Sequence, residues 1–382
     1  LQNSATLAAG AAVATQLPPL ATAAEPARPT DFASNWKTCP DRVWLGPDYW
    51  SNPLQDWRIA GGKIECTHAA ADRNVHLLVR ALGEKNETFT LTVRLGRSDA
   101  SPLGRGKGSA GFRFGIRGQL PDHRNALLFG RGLDAGLTAE GGLFIGVVSE
   151  AKAGVVKLDA TEVTLRLSGA PASDGCALTL SVTDATGREL GSLSKTVPAG
   201  RCAGGLALVN NFVAAGAGGA ATKAGKAAKA AKAATKAGGG ASPVGLGVFS
   251  FADWRVAGAR VTAHPDRAFG PLLFSQYTLH AGVLKLSAQL PPIGARDAQT
   301  VRLQTQASAA ADWKTIGEAP IHAEARLAAW RIPGWDATRD VPYRLAYTLQ
   351  FTDGRKEEHF WTGTVRADPV NERMSYSAMS YP

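Results

Sequence analysis

The chain contains no run of about 20 apolar residues, which rules out a membrane-spanning helix. Cysteine is scarce: Cys39, Cys66, Cys176 and Cys202 are the only four, and none has Cys-x-x-Cys spacing. The usual zinc frameworks are therefore excluded. The seven histidines form no His-x-His, His-Glu-x-x-His or Asp-x-His group, and neither a Gly-Asp nor an Asn-His dipeptide occurs. A binuclear hydrolase needs such groups, because two metals about 3.5–4 Å apart demand bridging carboxylates and imidazoles. There is no Gly-x-Ser-x-Gly elbow, no phosphate-binding P-loop and no Glu-x-Asp-x-x-Glu pair of the sandwich glycosidases. The chain thus offers no catalytic residue and no metal-ligand set, and no cofactor is expected in it.

What is present describes a globular β-protein. Of 382 residues, 45% are hydrophobic and 19% charged, enough for two or three domains with buried cores. The 43 glycines and 21 prolines favour turns and short strands over long helices. Strict alternation marks 89–95, 112–117, 163–168 and 178–183 as strands with one buried face and one wet face. Turn clusters such as Asp184-Ala185-Thr186-Gly187 separate them. Short strands at close spacing predict an antiparallel sandwich of concanavalin/laminin-G type over 36–265. Asp56-Trp57-Arg58-Ile59-Ala60-Gly61 is echoed by Asp253-Trp254-Arg255-Val256-Ala257-Gly258. The echo is expected to mark two strands lying side by side and closing that domain.

A second all-β unit, of about 100 residues and fibronectin-III-like, is expected over 268–368. Its strands include Val283–Ser287, Val301–Gln304 and Tyr343–Phe351, the last turning at Asp353-Gly354 into His359–Val365. Residues 213–242 are a low-complexity Ala/Gly/Lys insertion with no bulky apolar residue, and disorder is expected there. Its Lys223, Lys226, Lys229, Lys232 and Lys236 carry half of the net charge of +10. The remainder, about +5, is ordinary for a soluble chain and does not indicate specific nucleic-acid binding. The lysines could still attract an anionic polymer. Residues 1–35 read as the remnant of an export signal and a linker: an Ala-rich run from Ser4 to Ala14, then Ala21-Thr22-Ala23-Ala24 of A-x-A form. The weak hydrophobicity suits a twin-arginine signal that has lost its arginines. The expected location is periplasmic, cell-surface or secreted. Four cysteines suit an oxidising compartment, with three pairings open; Cys39–Cys66 and Cys176–Cys202 close the shortest loops. The equal alternative is four unpaired cysteines buried as small hydrophobes.

The wet faces of the strands carry the candidate binding residues. Thr90, Thr92 and Arg94 point one way, as do Arg113 and Arg117, and Thr164, Arg166 and Ser168. No acid lies on these segments. If the strands share a sheet, Arg94, Arg113, Arg117 and Arg166 form one basic face suited to anionic or hydroxylated ligands or to a docking partner. Arg113→Ala with Arg117→Ala would then cost the fold less than about 1 kcal/mol. Asp122, Asn125 and Asp134 supply too few oxygen ligands for a calcium site. Asp122 reads instead as a turn-capping residue.

Several segments resemble one known group. Trp44-Leu45-Gly46-Pro47-Asp48-Tyr49-Trp50-Ser51-Asn52-Pro53-Leu54-Gln55-Asp56-Trp57-Arg58, Gly62–Cys66 and Asp72-Arg73-Asn74-Val75-His76-Leu77-Leu78 are similar to the N-terminal region of bacterial alkaline phosphatase D-like metallophosphoesterases. So are Gly111–Gly118, Arg124–Leu133 and Trp361–Pro369. The resemblance implies an exported, non-catalytic β-rich region placed before a metal-binding catalytic domain, with 369–382 leading toward that domain. The family's metal ligands have no matching positions here. The implied role is support, substrate presentation or envelope attachment, with the catalytic domain as partner. The alternatives are a free-standing glycan-binding sandwich and a structural cell-surface protein.

Overall fold

The structure, a computed structural model, describes residues 30–68, 70–97, 107–151, 156, 162–213, 249–308 and 310–369. The alternating runs are strands, and every strand pairing is antiparallel. In Phe89–Arg97 the odd positions Phe89, Leu91, Val93 and Leu95 are buried, while Arg94 is exposed. One face of such a strand packs inward while the other meets solvent; Arg73–Leu82 differs, being buried on both faces.

Two sheets make the first sandwich. Sheet I runs Glu189–Val197, Gly175–Thr183, Glu162–Ala172, Phe89–Arg97, Phe249–Ala257, Lys63–Cys66 and Trp57–Ala60, with Phe32–Ala33 added beside Phe249–Ala257. Sheet II runs Val261–Ala263, Arg73–Leu82, Gly204–Val213, Lys107–Arg117, Arg131–Thr138 and Leu143–Ile145, with Tyr49–Asn52 beside Arg73–Leu82. Leu165, Leu167, Leu178, Leu180 and Val93 from sheet I meet Val75, Phe112, Phe114, Leu206 and Leu208 from sheet II in one apolar cluster. The sequence echo needs a correction. Trp57–Ala60 and Phe249–Ala257 share sheet I, but Lys63–Cys66 lies between them. The tight turn at Gly61-Gly62 returns the chain at once, so the hairpin partner takes the place expected for the distant copy. The tryptophans of the echo, Trp57 and Trp254, are both fully buried.

Seven strands form the second β-unit, in the order Phe274–His280, Val283–Gln289, Leu327–Pro333, Lys314–His322, Thr300–Thr305, Val341–Gln350 and Lys356–Val365. Only two residue pairs join Lys314–His322 to Leu327–Pro333, so three strands and four strands meet at a short seam in this sheet. The hairpin at Asp353-Gly354 forms, with Gln350 opposite Lys356.

The two units are joined through buried chemistry. Arg42 Nη1 donates to Asp297 Oδ1 at 2.7 Å, with both side chains essentially inaccessible. Backbone bonds add Trp44 N to Pro292 O, Phe269 N to Pro47 O and Thr352 N to Thr38 O. Trp50 and Phe269 meet edge-to-face at 5.0 Å. The insertion at 213–242, residues 1–29 of the expected leader and the tail beyond 369 lie outside the described residues, apart from the backbone of Val213; the rest of the expected leader and linker is described, and its Phe32–Ala33 belongs to sheet I.

Candidate functional site

The outer face of sheet II is polar where it should be merely wet. Register places Trp50, His76, Ala207, Arg113 and Asp134 in one row across five strands. The next row holds Asn52, Asn74, Val209, Gly111 and Gly136. Small residues at 111, 136 and 207 leave the floor low. A Cβ at Gly111 would come within 2.3 Å of the Ala135 carbonyl, so this strand pair closes only on glycine.

A short helix, His123–Phe129, forms the wall over this face. Asp122 caps it, its Oδ1 accepting from Arg124 N at 2.9 Å. This is the turn-capping role read from the sequence. Asn125 Oδ1 accepts from Leu120 N, and Asp134 pairs with Arg113, so neither is free to hold a cation. The helix is fixed to the sheet by Asn52, whose Nδ2 donates to Leu127 O at 2.7 Å and to Asn74 Oδ1 at 3.1 Å. Trp50 Nε1 donates back to Asn52 Oδ1 at 2.8 Å.

Between helix and sheet lies a cleft of about 340 Å³ lined by Asn52, Asp72, Asn74, His76, Arg113 and Leu127, among others. Arg113 spans its floor as a fork. Nε and Nη2 donate to the two oxygens of Asp134 at 2.6 and 3.0 Å, and Nη1 donates to Asp72 Oδ1 at 2.7 Å. Burial alone would weaken the Arg113 charge. The hydrogen bonds and charges of Asp134 and Asp72 outweigh it, and the guanidinium is held more firmly protonated than usual.

His76 sits beside this fork, 5% exposed, and its ring makes no hydrogen bond among the described residues. Burial, helped by the Arg113 charge and opposed by Asp72, lowers its pKa to about 4. The neutral ring presents one donor and one acceptor. The same side chain also lines a second recess of about 630 Å³, which Arg117, His123, His264 and Arg267 reach as well. His76 and Leu127 are thus shared by the two recesses.

The proposed basic face is not one face. Arg94 and Arg166 project from adjacent strands of sheet I, with Thr164 opposite Arg94 and Thr92 opposite Arg166. Arg113 and Arg117 project from sheet II, the opposite outer surface of the sandwich. Alternation within a strand shows which residues share its face, but not which sheet the strand joins. The arginines are also not uncompensated as a group. Arg94 reaches Glu162 at 3.3 Å and Asp253 at 3.0 Å, and Arg117 reaches Glu84 at 2.7 Å. Only Arg166 of the four makes no ion pair among the described residues. Asp72, Glu84 and Asp253 come from segments outside the arginine strands, so inspecting those strands alone could not find them. Two partners are legible: Glu162 opens the strand that carries Arg166, one residue before the alternating run 163–168, and Asp134 faces Arg113 once Arg131–Thr138 is paired as the next strand.

All four cysteines are buried thiols in this structure. Among the described residues there is no group of three or more His, Cys, Asp or Glu side chains able to hold a metal ion. No described helix is long and apolar enough to cross a membrane.

No family model matches the sequence, and no curated protein matches it. Solved structures do. Lectin I-B4 from Griffonia simplicifolia, in a metal-free form, is similar over 60% of this chain and 98% of its own, at 10% identity and a TM-score of 0.37. Basic winged bean lectin, solved with Tn-antigen, is similar over 61% and 99% at 9% identity and 0.37. Arcelin-5, a lectin-like defense protein from Phaseolus vulgaris, is similar over 61% and 100% at 8% identity and 0.36. Likeness at this level assigns no ligand and no activity to the present chain.

Proposed function

We propose that this chain is a non-catalytic binding region and that its cleft at His76 and Arg113 takes a hydroxylated, glycan-type ligand. The observation that carries the reading is His76, a ring 5% exposed that lines the cleft and makes no hydrogen bond among the described residues, beside a carboxylate, amides and a guanidinium. A polar ring open toward a cavity is suited to a ligand. Asp72, whose side chain is 67% exposed, can accept from paired hydroxyls while His76 both donates and accepts. Leu127 and Leu128 supply an apolar wall for the carbon face of a sugar ring. A glycan array followed by titration calorimetry tests this. Asp72→Asn keeps a residue that tolerates the φ of 58° there and removes the charge. It should weaken binding about tenfold, the size of one charge-assisted hydrogen bond, without moving the melting temperature. An array without retained glycans, or equal affinity for parent and variant, overturns the reading.

A second reading is favoured by a separate observation. Asn52, Asp72, Asn74, His76, Arg113 and Leu127 all come from four of the segments that resemble the alkaline phosphatase D-like group, and all line one cleft. In this reading the chain is the exported front part of such a metallophosphoesterase, and the cleft presents substrate or receives the catalytic domain. The metal ions would belong to that domain. The three strands and four strands that meet at a short seam in the second unit support a fibronectin-III-like module within the same proposal. The purified chain should then show no metal-dependent hydrolysis of a generic phosphodiester above a metal-free control. Turnover by this chain alone would refute it.

A further inference from the structure

We propose that Cys176 and Cys202 close a disulfide when the chain folds in the presence of a disulfide oxidant, while Cys39 and Cys66 stay as thiols. Spacing alone leaves three pairings open; the structure separates them. Cys176 and Cys202 are both wholly buried, and their thiols lie within hydrogen-bonding reach of each other. Cys39 Sγ instead donates to Asn35 Oδ1 and accepts from Arg42 Nη2, both at 3.6 Å. Cys66 Sγ donates to the His68 carbonyl at 3.2 Å.

The backbone holds the first pair in place independently of the sulfur atoms. Cys176 lies directly opposite Val197, and Pro198 then leads into the turn Ala199–Cys202. That turn is closed by Arg201 N donating to Pro198 O at 2.9 Å. The wholly buried Arg260 ties both segments together. Its Nη2 donates to Ala199 O at 2.8 Å, and its Nη1 donates to Asn86 Oδ1 at 3.2 Å. Asn86 Nδ2 in turn donates to Gly175 O at 2.8 Å. Gly175 has a φ of +151°, and a Cβ there would lie 2.2 Å from the Val197 carbonyl. Glycine therefore allows the approach that brings residue 176 over the turn.

The chemistry is thiol–disulfide exchange. One cysteine thiolate attacks a disulfide such as oxidised glutathione, forming a mixed disulfide and expelling one glutathione thiolate. The second cysteine thiolate displaces the other glutathione. Two S–H bonds are lost, one S–S bond forms, and the oxidant is reduced to two thiols. In the folded chain both sulfurs are closed off from an oxidant, since Cys176 and Cys202 are each 0% exposed, and burial with the neighbouring Cys176 pushes the Cys202 thiol up. The bond is therefore expected to form during folding, before the pair is buried. Once formed, it fastens the edge hairpin 175–197 of sheet I to the turn that feeds Gly204–Val213 in sheet II.

The test uses the full chain, denatured and reduced, then refolded with reduced and oxidised glutathione. Thiols are alkylated in guanidinium, and the digest is mapped without reduction. The expected product is lighter by two hydrogen atoms before alkylation, contains a linked peptide joining Cys176 to Cys202, and has Cys39 and Cys66 alkylated. Reductant should lower the melting temperature by about 4–6 °C, from closure of a loop of roughly 27 residues. The same fall should be seen in Cys39→Ala with Cys66→Ala, which retains the linked pair. Four alkylated cysteines after oxidative refolding, a Cys39–Cys66 link, or a crossed link overturns the proposal.

Discussion

Replacing Asp297 with alanine should destabilise the chain by about 3–5 kcal/mol, because it strands a guanidinium in the interior. Arg42 is 1% exposed at its side chain and Asp297 is fully covered. Arg42 Nε donates to Trp44 O, and its Nη2 reaches only the Cys39 sulfur. Without Asp297 the positive charge would face a carbonyl, a thiol and the Trp44 ring, 4.9 Å away. None of these carries a full compensating charge. The substitution also frees Gly294 N, which donates to Asp297 Oδ2 at 2.6 Å. Removing both ends is a different perturbation. Arg42→Met with Asp297→Leu leaves no orphaned charge and should cost clearly less than Asp297→Ala alone.

Urea denaturation followed by tryptophan fluorescence is the direct assay. Trp44 lies beside the pair, and Trp330 reports from the second unit. The parent should unfold in one transition, since a single apolar cluster runs from Leu165 through Leu272 and Ile293 to Leu345. The Asp297→Ala variant should melt about 4–7 °C lower, from an unfolding entropy of about 2 cal/mol/K per residue over a chain of this length. A loss below about 1 kcal/mol, or a double variant whose cost is the sum of the two single costs, would refute this account of the junction.

Three further outcomes are expected. Because the folded-state pKa of His76 lies near 4 and the unfolded value near 6.5, the unfolded chain binds this proton first. Its contribution is intact above pH 6.5 and is lost as pH falls toward 4, by about 3 kcal/mol in all; His76→Phe should flatten the stability profile in that window. The expectation that Arg113→Ala with Arg117→Ala would be nearly neutral is corrected by the Arg113 fork, which is 18% exposed and bidentate on Asp134. The double variant should lose about 2–3 kcal/mol in urea titrations, almost all of it from position 113. Gly115→Ala should cost about 2–4 kcal/mol, since φ is +64° and the new Cβ would lie 2.0 Å from the Arg201 carbonyl; a melting temperature equal to the parent's would contradict this.

The sequence by itself determined the strands that alternate, such as Phe89–Arg97 and Gly175–Thr183, and which side of them is buried. That information is local: 89–95 alternates with period two, and a strand that buries one face must alternate. The Asp353-Gly354 hairpin was legible for the same reason, since two residues with turn chemistry set the register of Gln350 against Lys356. The helix cap at Asp122 is equally local. Tertiary structure alone decided which strands became neighbours. It put Arg94 and Arg113 on opposite surfaces, seated Lys63–Cys66 between the echoed strands, and brought Asp134 and Asp72 to Arg113. It also made His76 a cleft residue, through a helix about 50 positions away that is tethered by Asn52. Each of these outcomes depends on pairing between distant segments, and side-chain alternation carries no record of the partner.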